Sequence, residues 1–226
     1  MKLSRRSAAL LIAIAPTIVG STMPQAAAQA APAADAQPDD AAMDFARAYL
    51  DSAVYVAGFR RALRAQVAAC LAAKQFTADQ AAEKSALNDR FMDAWEPEFP
   101  AMQGKIAATM RSAFDDVQMT ELDTFYRSPV GRKMIALVVD QIVELMAKST
   151  AVCGSASQPM DKEKLAEGAV GKLSDVELNE LAAFGASDTG HKFRDFQPTL
   201  MAVFGPLIRD SRTKALEAAG LKKVSQ

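Results

Sequence analysis

The sequence predicts an all-α fold: a single-domain helical bundle that contains a duplicated helix-turn-helix hairpin. Three observations predict it. The chain is rich in Ala, Leu, Met, Lys, Arg, Glu and Gln, all good helix formers. It has no alternating β-branched run and no Asn-Gly or Asp-Gly hairpin turn. It also writes one pattern twice. Glu121-Leu122-x-x-Phe125-x-x-Ser128-x-x-Gly131-x-Lys133 returns as Glu180-Leu181-x-x-Phe184-x-x-Ser187-x-x-Gly190-x-Lys192, offset by 59 positions.

The first element, residues 1–30, reads as a secretory signal. Lys2, Arg5 and Arg6 make a basic start, and the apolar run from Ala8 to Val19 is too short to span a bilayer. Ala28-Gln29-Ala30 offers small residues for cleavage after Ala30, with Ala26-Ala27-Ala28 as a second option. Ser4-Arg5-Arg6 touches the twin-arginine pattern, but ordinary secretion fits the following Ser7-Ala8-Ala9 better. No Cys follows the apolar run, so no lipid anchor is indicated. The expected location is the periplasm or the exterior. Residues 31–40 are Ala, Pro, Asp and Gln without apolar periodicity, a flexible leader.

Residues 41–226 are long enough for one domain with a sizeable core. The whole chain carries a net charge of −1, and residues 1–30 hold three basic and no acidic residues, so the remainder is near −4. A nucleic-acid partner needs a surplus of Lys and Arg and is not expected. No later stretch has transmembrane length without charges.

From about Asp40 to Ala73 apolar residues recur at helical spacing (Phe45, Tyr49, Val56, Phe59, Leu63, Val67, Cys70), and Gly58 is expected to bend or divide this element. Thr77 is the expected N-cap of a helix carrying Leu87, Phe91 and Trp95 at four-residue steps, ended by Pro97 and Pro100. A third helix follows from about Pro100 to Phe114, with Met102, Ile106 and Met110 on one face.

The repeats occupy about 115–148 and 174–207. Asp115 or Asp116 caps the first short helix, with Gln118 in capping-box position after Asp115, and Ser174 with Glu177 is the clearer box in the second. Leu122 with Phe125, and Leu181 with Phe184, share a helix face. Each short helix then reaches a serine that caps the next: Ser128 before Pro129, and Ser187 before Asp188. Gly131 and Gly190 fall in the first turn after it, where a better helix former is expected unless the preceding helix approaches closely. Met134 and Leu137 answer Phe193 and Phe196 as inward positions. The second helix of copy one should run from Pro129 to about Lys148. That of copy two meets Pro198 and Pro206 and should kink or break. Between the copies, 149–159 reads as a loop and 161–168 as a short helix. A tail from about Arg209 to Ala219 ends at Gly220.

The stretch Glu121-Leu122-Asp123-Thr124-Phe125-Tyr126-Arg127-Ser128-Pro129-Val130-Gly131-Arg132-Lys133 resembles the signature of the exported bacterial family called domain of unknown function 2059. The resemblance is specific from about Asp115 to Leu145 and fainter in the second copy, where Asp188 replaces Pro129 and Gly185 replaces Tyr126. It implies a small all-helical periplasmic protein and brings no catalytic residues with it.

Chemistry is sparse. His191 is the one histidine, and Asp188, His191 and Asp195 would share a helix face. That is a candidate for an envelope hydrolase or a metal-dependent enzyme. A triad along one helix rarely builds the cleft and oxyanion site that hydrolysis needs, and zinc needs more nitrogen or sulfur ligands. The first copy has Arg132 at that position. A solvated face is the expected role. Met92, Met102, Met110, Met119, Met134, Met146 and Met201 lack close pairs and read as core filler rather than copper ligands. Cys70 and Cys153 pair in a disulfide or stay as two buried thiols; export favours the bridge, with about 4–5 kcal/mol of chain-entropy stabilisation. Glu121 with Lys133, and Glu180 with Lys192, recur together: they either bridge within each hairpin or mark a binding face built twice. No phosphate loop, His-Glu-x-x-His, Gly-x-Ser-x-Gly or Cys-x-x-Cys is present, and no cofactor or metal is expected. The leading expectation is a non-catalytic module that binds a protein or an apolar ligand. A self-associating envelope-stress or structural factor is an alternative.

Overall fold

The first two helices settle how the chain enters its core. The computed structural model describes residues 40–148 and 168–221. Helix α1 (Ala41–Tyr49) is capped by Asp40, whose side chain accepts from the Ala42 N–H. Helix α2 (Ser52–Ala72) follows after only two residues. The expected division therefore falls at Leu50 and Asp51, not at Gly58. A continuous helix would send the Val54 N–H to the Leu50 carbonyl. Here the Asp51 carboxylate takes that N–H at 3.2 Å, and the Leu50 carbonyl accepts from Gln103 Nε2 at 2.9 Å. Both groups left by the break are thus satisfied.

Gly58 sits inside an unbroken α2, at its crossing with α6 (Pro129–Lys148). A Cβ there would lie 2.1 Å from Val139 Cγ1, so its bare backbone is what lets the two helices meet so closely.

Helix α3 (Ala78–Trp95) opens on a full capping box, Thr77 with Gln80. Its apolar step carries Phe91 and Trp95 inward. A single 3₁₀ turn, Glu96–Glu98, holds Pro97, and α4 (Phe99–Arg111) begins with Pro100 in its first turn, where a missing N–H costs nothing. Helix α5 (Asp116–Arg127) then leads into α6, and α7 (Asp175–Ala186) into α8 (Asp188–Ala218). Helix α8 contains Pro198 and Pro206 without breaking. Both prolines are exposed, so their rings sit on the solvent side of the helix. The tail from about Arg209 is the end of α8. Gly220, at φ 70°, stops it.

The described residues form an all-α single domain with no strand. One contiguous apolar core joins every helix. Its centre is α1: Ala42, Phe45, Ala46, Tyr49 and Leu50 are each at most 2 % exposed, which makes this nine-residue helix a plug rather than a surface arm. The Phe45 ring meets Tyr49, Tyr126 and Phe193 at 5.3, 5.2 and 5.8 Å. A second aromatic group, Phe59, Phe91, Trp95 and Phe99, fills the space between α2, α3 and α4. The Trp95 indole N–H donates to Ser211 Oγ of α8 at 2.9 Å in the buried interior.

Candidate functional site

The twice-written pattern folds the same way each time. Helix α5 ends and α6 begins at Ser128; α7 ends and α8 begins at Ser187. Both serines hold extended backbone, φ −63° and φ −72°. Ser128 Oγ accepts from the Gly131 N–H at 3.1 Å, and Ser187 Oγ from the Gly190 N–H at 3.0 Å. The short helices open on two full capping boxes, Asp115 with Gln118 and Ser174 with Glu177.

The glycines have a steric reason. A Cβ on Gly131 would lie 2.1 Å from the Phe125 carbonyl oxygen, and one on Gly190 would lie 2.0 Å from that of Phe184. No side chain fits there, because the turn at the serine folds the new helix back onto the carbonyl it has just left. Leu122 and Leu181 are fully buried, Phe125 is buried, and Phe184 is half-buried.

The charged members of the pattern do not pair within their own copy. Lys133 Nζ reaches across to Glu177, 2.8 Å from Oε1 and 2.7 Å from Oε2. Lys192 Nζ reaches back to Gln118 Oε1 at 2.6 Å. Glu121 accepts from Thr189 Oγ1 in the second copy. Glu180 stands exposed, because the position matching Thr189 is Val130, which has no hydroxyl. The expected bridges within each hairpin are therefore replaced by contacts between the copies. The reason is geometric: each lysine lies beside the first turn of the other copy's short helix, where residue N3 is held in place by its capping box.

These contacts are reciprocal. Shifted by 59 positions, Lys133–Glu177 maps onto Lys192–Gln118, and Phe125–Phe184 maps onto itself. Those two rings lie face to face, centroids 3.9 Å apart and planes 5° from parallel. A contact set that maps onto itself is the mark of an isologous, two-fold-like interface, here within one chain. Its two halves differ chemically. Lys133 meets a carboxylate, whereas Lys192 meets an amide and also lies 4.9 Å above the Phe114 ring. The hydrogen bonds from Lys133, then those from the Ser174 N–H and hydroxyl, hold the Glu177 carboxyl down to about 2.

His191 stands on the exposed side of α8, with Arg194 Nη2 2.5 Å from its Nδ1. A guanidinium only donates, so that ring nitrogen serves as an acceptor. Arg194 is also 3.7 Å from the exposed Asp195. The structure thus gives His191 an arginine neighbour on an open face. Among the described residues no three His, Cys, Asp or Glu side chains converge as metal ligands would. Burial pushes the Tyr49, Tyr55 and Tyr126 phenols up, so all three remain neutral in the core. Met92, Met102, Met110, Met119 and Met134 are buried core residues. Cys70 is fully buried near the end of α2; Cys153, the loop at 149–159, most of the short helix at 161–168 and residues 1–30 lie outside the described residues.

Sequence reasoning missed the role of α1, for which Asp51-Ser52 is the available signal, a capping pair hidden inside a continuous apolar period. Comparisons with protein-family models, curated proteins and solved structures gave no match.

Proposed function

We propose that this chain is an exported, non-catalytic binding or interaction module, related to the family its motif resembles. One observation carries the reading: the residues of the repeated pattern, the exposed Glu180 aside, cap helices, pack the core or join the two copies, and none of them converges on a reactive group. His191, the side chain best suited to proton transfer, faces outward beside Arg194. No helix among the described residues is long and apolar enough to cross a membrane. Its partner is a protein or an apolar ligand held by the helices. The two units descend from one duplicated hairpin, and a Cys70–Cys153 bridge formed in an oxidising compartment ties α2 to the segment between them.

Native mass spectrometry of the chain purified from a bacterial periplasm tests this. The expected result is a chain beginning at Ala31, carrying a bound protein or apolar molecule, with the mass loss of one disulfide. Ester or peptide hydrolysis by the purified chain that disappears in His191→Ala would overturn the non-catalytic reading.

A further inference from the structure

The contact between α1 and α5 contains a charge arrangement that packing alone does not require. Asp123, on α5, is half-buried, and its Oδ1 is shielded from water without a hydrogen-bond donor among the described residues. Its Oδ2 lies 3.5 Å from Arg127 Nη1, and the same nitrogen lies 3.7 Å from Asp44 Oδ2 of α1. One guanidinium nitrogen therefore serves two carboxylates. Arg47 lies 3.3 Å from the other Asp44 oxygen, one turn along α1. Both arginines are largely exposed, at 59 % and 63 % of their side chains, so water weakens their hold on the two acids. Among the described residues α6 and α8 place no ion-pairing group on Asp123. The remaining charged tie of α1 joins Asp40 to Arg111 of α4.

A shielded carboxylate oxygen with no donor is costly when charged, and a second carboxylate nearby adds to the cost. We propose that Asp123 and Asp44 form an acid-tightened clasp on α1: ionised, they oppose each other across the α1–α5 contact; with a proton on Asp123, the contact closes. The inference is independent of what the protein binds. Burial holds the Asp123 carboxyl above its ordinary range; Arg127 opposes this and Asp44 adds to it. The folded state then binds the proton more tightly than the unfolded state, so docking of α1 strengthens as pH falls and weakens as Asp123 ionises.

Hydrogen exchange on the full chain tests this between about pH 7 and about pH 4.5, with rates corrected for their intrinsic pH dependence. That window lies above the range in which Glu177 gives up its own contribution. Protection of α1 amides should rise by a factor of about two to ten as pH falls, with α3 amides as the reference. Asp123→Asn should hold α1 at the protected level throughout. Asp44→Asn, which keeps Asp123, should move the rise to lower pH. A wild-type α1 whose protection does not change, an equal rise in α3, or an unaltered response in Asp123→Asn would each overturn the clasp.

Discussion

Gly131 and Gly58 each bear on a single contact, and the atoms they face rank their effects. Gly131 faces a backbone carbonyl oxygen, which cannot move without unwinding the turn at Ser128. Gly131→Ala should lower unfolding stability by about 2–3 kcal/mol in urea titrations, as overpacking against an unyielding neighbour does. Gly58 faces Val139 Cγ1, the end of a side chain. Gly58→Ala should cost less than Gly131→Ala, through a forced rotation of a stiff β-branched residue. Glu177 supplies a pH-dependent contrast with Asp123. Its carboxyl is held down from 4.5 to about 2, so it stabilises the fold above its unfolded value. That contribution is lost as pH falls from about 4.5 through about 2. Thermal melts should show Glu177→Gln less stable than wild type at pH 7, with the gap closing across that acid range. A gap that persists below it would refute the assignment.

Local chemistry explains why the caps were legible and the charged partners were not. Thr77, Asp115, Ser128, Ser174 and Ser187 act on N–H groups three residues away, so their roles are written in nearby positions. Lys133 and Glu177 are 44 residues apart, and nothing local distinguishes that pair from Lys133 with Glu121. The break at Leu50 was obscured for a related reason: Gln103, whose amide takes the freed carbonyl, belongs to another helix. Helix α8 survives two prolines because both are turned to solvent, an orientation set by packing. The reciprocal contacts also mark an element-level weakness. Gln118 is the one place where the cross-copy pairing lacks a carboxylate. Gln118→Glu should add a mirror-image ion pair with Lys192 while keeping the capping box. The expected gain is at most about 1 kcal/mol, abolished by Lys192→Met or by high salt, and read by thermal melts.

At the scale of the whole molecule, α1 joins what the repeats leave open. It touches Tyr126 of the first copy and Phe193 of the second through one residue, Phe45. Phe45→Ala should therefore cost about 3–5 kcal/mol by denaturant titration and loosen both copies together, seen as lost exchange protection in α5 and α8 alike. A loss confined to α1 would show that the copies stand without it. The all-helical class, the paired serine caps and the single core were readable from composition and spacing. The plug at the centre was not, because its nine residues carry the same period as α2, and only the assembled core shows which of the two helices it encloses.

Trp95 is the sole tryptophan, and its indole joins α3 to a residue 116 positions further along the chain. Its emission is thereby a natural reporter on the final helix. A blue-shifted spectrum marks α8 seated, and a red shift on dilution into denaturant times its departure, so the last third of the chain can be followed optically without attaching a dye.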